Sequence, residues 1–472
     1  MLLKRSFRCT LIILAALALC ATRCGRSREE SVVLARAGDR EITREQFVSR
    51  CELAVRPQVR GTQEEQKKAL LELLIDEKLL ALEAEANGLH RDDRLREAVS
   101  LCADFAAARA LYTREVAAKV HLTPEEVAAA AEKMAQTRTV QFFLTRNQAE
   151  AESVRQQLLA SRSFAQALSA RGTIAVDTSR FRFTARWGDL EPTLDEAIFE
   201  LNVGEISPVV KTTRGYVVCR VDSITFSPPL AETGGVDLRH KASKVLRSRK
   251  EAVRAEAYVK QVMSDKNVEV DERAFQLLSE AVLRHLELAE STLPPFAERQ
   301  VLLRDEVLVP ASQELSHAAD MVLLRFAGGQ WSIADVLKRW RVLRPPIATS
   351  SPNACRSSMA RVLSTMVRDH FLAEEARRKG IYKSAQVKEE TAMWRDHFLA
   401  ELMLQRLRAN PGADFSLRRH LYQLRRRFPV EQNLKPLQSI TLTRLQLVGV
   451  RPGQYGTLAV PPWPALPEDG EQ

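Results

Sequence analysis

Pro192-Thr193-Leu194-Asp195-Glu196-Ala197-Ile198-Phe199-Glu200-Leu201 is followed by Asn202-Val203-Gly204-Glu205-Ile206-Ser207-Pro208-Val209, by Lys211-Thr212, and then by Gly215-Tyr216-Val217-Val218-Cys219-Arg220-Val221. The first piece carries apolar residues at helical spacing, the second is a turn, and the third is an alternating strand. Upstream, Val140-Gln141-Phe142-Phe143-Leu144 reads as a strand, and Ala149 to Leu159 has a helical pattern. Ser163 to Leu168 is a second short amphipathic stretch, and Trp187-Gly188-Asp189-Leu190 is a turn. Residues 136–226 therefore read as a small α/β domain. None of the eight histidines (His90, His121, His240, His285, His317, His370, His397, His420) falls inside it.

That order of elements resembles the parvulin (PpiC-like) type of peptidyl-prolyl isomerase domain. The signature is a hydrophobic helix, a turn with Gly-Glu-Ile-Ser-Pro-Val, then Lys-Thr, Gly-Tyr and a strand. The resemblance implies an apolar cup for a proline ring at Leu190 and Leu194, above a polar cluster of two histidines and an Asp or Cys. Here the polar positions carry Phe142, Phe181 and Val217. The family's Gly-Gly-Asp-Leu-Gly turn survives only in part, as Trp187-Gly188-Asp189-Leu190. Prolyl isomerisation needs no covalent step, only binding of the twisted imide in an apolar cup and control of the carbonyl's surroundings. With the polar centre gone, peptide binding with weak or lost catalysis is the expectation, and no catalytic residue is assigned. Cys219, on the same strand face as Val217, reads as a buried structural thiol.

At 472 residues the chain exceeds one core, and two to four domains are expected. Hydrophobic content of 45% with only 6% aromatics favours helical bundles. The net charge of +10 suits acidic polypeptides or anionic headgroups. No helix-turn-helix, zinc finger or aromatic-interleaved basic platform is present, so nucleic acid is not an expected partner. Lys4, Arg5 and Arg8 precede an apolar run from Leu11 to Leu19 and then Cys20, the pattern of a secretory signal. Leu17-Ala18-Leu19-Cys20 resembles a lipoprotein signal, with Leu19 where the pattern has Gly, Ala or Ser. Cys24, preceded by Arg23, fits less well. The expected location is the periplasm, with Cys20 the lipidation candidate if the chain is membrane-anchored. Export would permit a Cys51–Cys102 bridge, although two buried free thiols fit this chain better.

Val32 to Ala37 reads as a strand, Gly38-Asp39 as a turn, and Thr43 with Gln46 as a helix start. A longer helix carries Leu70, Leu71, Leu74, Ile75, Leu79 and Leu82 on one stripe and stops at Asn87-Gly88. This run resembles the N-terminal chaperone domain of periplasmic folding factors of the SurA and PrsA type. Farther on, Val362-Leu363, Met366-Val367, Phe371-Leu372 and Gly380-Ile381 repeat Leu70-Leu71, Leu74-Ile75, Leu79-Leu80 and Gly88-Leu89 at constant offset. Val322 to Phe326 and Trp331-Ser332 take the places of the first strand and Ile42-Thr43, so a duplication is expected. The second copy has no inserted isomerase.

The expected fold is α+β and predominantly helical. A signal at 1–24 precedes a helical domain at 30–135, the parvulin-like domain at 136–226, and a return helix at 227–290 packing on the N-terminal domain. A connector with short strands at 291–345, a second helical module at 346–440 and a loosely ordered tail at 441–472 complete the chain. Asp369-His370-Phe371-Leu372-Ala373-Glu374 recurs as Asp396-His397-Phe398-Leu399-Ala400-Glu401. Such pairs can hold a divalent metal, but polar edges of amphipathic helices explain them better, and no metal or cofactor is expected. No phosphate-binding glycine loop or nucleophile elbow occurs. The functional expectation is an exported folding factor whose partners are unfolded or nascent exported polypeptides. The alternatives are an active prolyl isomerase or a fixed-partner subunit of an envelope assembly.

Overall fold

The computed structural model describes residues 32–161, 182–226, 234–290, 300–409, 415–443, 459–464 and 466. In chain order the elements are β1 (Val33–Ala37), β2 (Arg40–Thr43), α1 (Arg44–Leu53), α2 (Gln63–Ala86), α3 (Asp93–Glu115) and α4 (Pro124–Met134). Next come β3 (Gln136–Thr145), α5 (Gln148–Ser161), β4 (Arg182–Arg186), α6 (Pro192–Glu200), β5 (Val210–Thr212), β6 (Gly215–Phe226) and α7 (Gly234–Met263). The remainder is β7 (Glu269–Val270), α8 (Glu272–Glu290), β8 (Gln300–Leu302), α9 (Asp305–Glu314), β9 (Val322–Phe326), β10 (Gly329–Ser332) and α10 (Ile333–Leu343). It ends with β11 (Pro346–Ala348), α11 (Pro352–Arg378), α12 (Ala385–Ala409), α13 (Leu417–Arg427), β12 (Val430–Gln432) and α14 (Leu434–Gln438). The fold is α+β and mostly helical. Two compact units form: residues up to Ala110 with those from Asp265 onward, and Leu111–Ser264.

Two copies of one pattern make up the first unit. In each, a hairpin (β1–β2, β9–β10) leads into a short helix whose first turn is capped by Thr43 or Ser332. The hydroxyl of each cap accepts from the backbone N–H three residues on, filling one of the otherwise orphaned donors of a helix start. A long helix follows (α2, α11), and it stops at a left-handed glycine, Gly88 at φ 77° or Gly380 at φ 70°. One 3₁₀ turn and a second long helix (α3, α12) come next. The buried stripe of α2 (Leu70, Leu71, Leu74, Ile75) has its counterpart on α11 (Val362, Leu363, Met366, Val367).

Each copy is closed by the other's trailing strand. β12 pairs with β1, with Ala35 opposite Gln432, and β7 pairs with β9, with Val270 opposite Leu324. The backbone bonds match: Asn433 N donates to Leu34 O at 2.8 Å and Asp271 N to Leu323 O at 2.9 Å. Gly38 N donates to Pro429 O and Ala327 N to Lys266 O in the same way. Helix α12 likewise packs on α2 of the first copy, so the 346–440 segment is not a self-contained module.

The 227–290 segment divides as well. Ala242, Val245 and Leu246 of α7 join the core of the second unit, and Lys250 bonds to Glu126 of α4. β7 and α8 instead lie in the first unit, where Arg284 and His285 of α8 meet Glu314 of α9. The tail also departs from expectation. Val460 and Trp463 are buried in the first core, in a run whose three prolines fix φ and keep it out of a helix. Cys51 and Cys102 are both buried and are not joined by a disulfide, and burial pushes the Cys51 thiol up to about 12. No helix among the described residues is long and apolar enough to cross a membrane.

Candidate functional site

The second unit holds a four-stranded antiparallel sheet in the order β4-β3-β6-β5. Register places Phe142 opposite Cys219 and Leu144 opposite Val217, so these four share one face. Phe183 of β4 meets Phe142 edge-to-face at 5.3 Å. Leu190 and Leu194, both partly buried, pack into the same cluster with Trp187, Ile198 and Phe199. The structure thus brings Phe142, Leu190 and Leu194 together. Val217 is buried on the same sheet face, 6% exposed, against β5 through Val210. Phe181 lies outside the described residues. Phe183 is the aromatic on the cluster, a position that strand alternation through 181–185 would have admitted equally.

The face around Phe142 and Cys219 carries no histidine, and the buried charge at its edge is already engaged: Arg138 of β3 donates to Ile198 O at 2.6 Å and lies 4.8 Å over the Phe199 ring. The Cys219 thiol is fully buried, and burial pushes it up to about 11, so it remains neutral. Its backbone is fixed by buried Ser207, whose hydroxyl accepts from Cys219 N at 3.0 Å and whose N–H donates to Cys219 O at 2.8 Å. A neutral apolar face can bind a proline ring or an aromatic side chain by removing its surface from water. It has no imidazole or carboxylate with which to tune the imide.

Charge in this unit is used to hold the turn below the face. Asp195 is fully buried in the first turn of α6; it accepts from Gly188 N at 2.6 Å and is ion-paired with Arg249 of α7. Burial raises the Asp195 carboxyl above its ordinary value, with the Gly188 N–H and Arg249 opposing that rise. Arg249 also lies 4.4 Å over the Trp187 ring. Gly188 sits at φ +101°, and a Cβ there would come within 3.3 Å of Val245. Both Asp195 and Arg249 escaped the sequence reading. The available signal was an acidic residue on the apolar side of α6, three and four positions before Ile198 and Phe199.

The two Asp-His motifs go to different surroundings. His397 is buried, its Nδ1 3.3 Å from Glu77, while Asp396 accepts from Lys78 at 2.7 Å. His370 lies against Trp331, Phe326 and Phe371. Among the described residues no group of three or more His, Cys, Asp or Glu side chains could hold a metal.

Residues 129–233 match the family model of the PPIC-type PPIASE domain, and this segment is a domain of that type. A search of the curated proteins found no match. Among solved structures, the chain is similar to peptidylprolyl isomerase (PrsA) from Bacillus cereus at 15% identity and TM-score 0.23, over 52% of this chain and 95% of that one. It is similar to foldase protein PrsA from Streptococcus pneumoniae at 16% identity and TM-score 0.23, over 47% and 87%. A Campylobacter jejuni structure described as SurA-like chaperones (the virulence factor PEB4 and the periplasmic protein Cj1289) matches at 15% identity and TM-score 0.21, over 51% and 100%.

Proposed function

We propose that this chain is an exported folding factor that holds unfolded polypeptides, and that its PPIC-type domain binds proline-containing apolar segments while accelerating their isomerisation little or not at all. The observation that carries the reading is the face of Phe142, Phe183, Leu190, Leu194, Val217 and Cys219, which keeps an apolar surface, has no histidine, and has a Cys219 thiol kept neutral by burial. Binding alone lowers the ground state and the twisted state together, which leaves the barrier unchanged. The full chain should therefore slow aggregation of an unfolded reporter protein. It should leave the cis–trans relaxation of a proline tetrapeptide near the uncatalysed rate. Acceleration comparable to that by an active parvulin, lost in Leu190→Ala with Leu194→Ala, would make the domain an enzyme and overturn the proposal.

Export rests on Lys4, Arg5, Arg8 and the apolar run, and anchoring on Cys20. A single acyl chain binds membranes only marginally, so stable attachment takes the several chains of lipoprotein processing. Cys20→Ala should move the protein from the membrane to the soluble fraction, and Cys24→Ala should not. A mature N-terminus without lipid, found by mass spectrometry, removes the anchor from the proposal.

A further inference from the structure

The duplication places two grooves in equivalent positions, and one is filled. Matching the helix starts at Thr43 and Ser332 makes Arg339 the counterpart of Arg50. Matching the stops at Gly88 and Gly380 pairs Leu74 with Met366, Glu77 with Asp369, Lys78 with His370, and Asp104 with Asp396. In the first copy, Arg50 is clamped by the Glu77 carboxylate at 3.1 and 2.8 Å. It donates onward to the carbonyl of Pro462 at 2.6 Å and lies 5.5 Å from the Trp463 ring. The groove is thus occupied by this chain's own Val460-Pro461-Pro462-Trp463-Pro464, a proline-rich segment without regular secondary structure that buries its valine and tryptophan.

In the second copy the corresponding place is a cavity of about 220 Å³ between α3 and α10–α11. That is several times the roughly 30 Å³ share of one water, enough for a large side chain. Leu101, Phe105, Val362 and Met366 form its apolar wall, with Arg339 and His370 at its polar side. Asp369 is one methylene shorter than Glu77 and is bonded by Arg368 at 2.8 and 2.6 Å. Arg339, without that clamp, stacks on Trp331 at 4.5 Å and reaches Glu97 only at 4.0 Å. No described segment of the chain enters this cavity as Val460–Pro464 enters its counterpart.

We infer that the α3/α10–α11 cavity is a second polypeptide-binding site, which takes an extended client segment with an aromatic residue beside prolines and holds it by a bond from Arg339 to a backbone carbonyl. The first groove supplies the template. Proline keeps such a segment extended at little entropic cost, the aromatic fills the cavity, and a guanidinium satisfies a carbonyl that would otherwise be buried alone. The inference deepens the client-binding reading above and rests on it.

The test uses the full chain and the synthetic peptide Val-Pro-Pro-Trp-Pro-Ala-Leu, a copy of residues 460–466. The tethered tail keeps the first groove by its effective concentration, so added peptide reports on the second. The expected result is saturable one-to-one binding, weakened about tenfold by Arg339→Ala, by Met366→Trp, or by Trp→Ala in the peptide. Circular dichroism checks that the variants are folded. A photoreactive aromatic in place of the peptide's tryptophan should label α3 or α11 in the unaltered protein. Labelling confined to residues 136–226, or binding indifferent to Arg339→Ala, overturns the inference while leaving client binding intact. Absence of both peptide binding and aggregation suppression removes the client-binding reading together with it.

Discussion

The two copies of the first unit use the same elements in the same order, yet one interior is filled with charge and chain and the other is open. On the α2 side, Arg50, Glu77 and His397 are all buried in mutual contact, and Lys78 with Asp396 forms a second buried pair beside them. Lys67 donates to three carbonyls of the returning chain, at Leu437, Gln438 and Ile440, each at 3.0 Å. On the α11 side, Asp104 is taken by Arg377 and Tyr382, Asp369 turns to Arg368, and a cavity remains. The lesson is that a duplicated scaffold can keep its caps and helix stops while a one-methylene change, Glu77 against Asp369, redirects an arginine. One copy then serves stability, and the other retains unfilled volume.

The sharpest way to break this contrast is to remove one member of the closed network. Arg50→Ala leaves Glu77 buried with only His397 beside it, and breaking such a buried ion pair typically costs about 3–5 kcal/mol. Arg339→Ala, at a partly exposed site without a clamp, should cost less than about 1 kcal/mol. Equal losses in chemical denaturation would erase the distinction between the copies. Trp463→Ala should come next, at about 3 kcal/mol, since it vacates a buried aromatic site and the ring facing Arg50.

The pH response should separate the copies by sign. Burial alone would raise the Glu77 carboxyl, but Arg50 and His397 overcome it and hold it at about 2, below its ordinary 4.5. Its stabilisation is therefore complete above about pH 4.5 and is lost as pH falls toward 2. Asp369 is shifted the other way: burial raises it above 3.8, with Arg368 opposing. Ionising Asp369 thus works against folding, and its protonation relieves the second copy as pH falls. Acid titration of Glu77→Gln should show a shallower loss of stability below pH 4.5 than the parent, and Asp369→Asn a steeper one. In the second unit, Gly188→Ala should cost about 1–2 kcal/mol, less than Trp463→Ala, from a positive φ and the approach of Val245. A neutral outcome there would mean that the Asp195–Arg249 clamp, not the turn's backbone, holds Leu190 in place.

Much of the candidate binding face was legible because its signals are local. The run from Pro192 to Val221 announces helix, turn and strand in order, and a period of two along β3 and β6 puts Phe142, Val217 and Cys219 on one side. Phe183 was missed because two phenylalanines two residues apart satisfy the same alternation. Asp195 and Arg249 were missed because 54 positions separate them, and nothing local reveals an ion pair that closes only when α7 packs on the sheet unit.

From sequence alone came the α+β class, the helix starts at Thr43 and Ser332, the stops at Gly88 and Gly380, the duplication, and the absence of histidine from 136–226. Each depends on neighbours within a few residues, where caps, dihedral preferences and side-chain period act. Only the tertiary structure decided that β12 closes the first hairpin and β7 the second, and that Val460–Pro464 fills one groove and leaves its counterpart open. The two trailing strands, Glu269-Val270 and Val430-Glu431-Gln432, are short and chemically alike, and both hairpins offer the same unpaired edge. Strand pairing uses backbone groups common to every residue, so the choice between equal edges falls to the packing of α12 and the tail on α2, which no local pattern encodes.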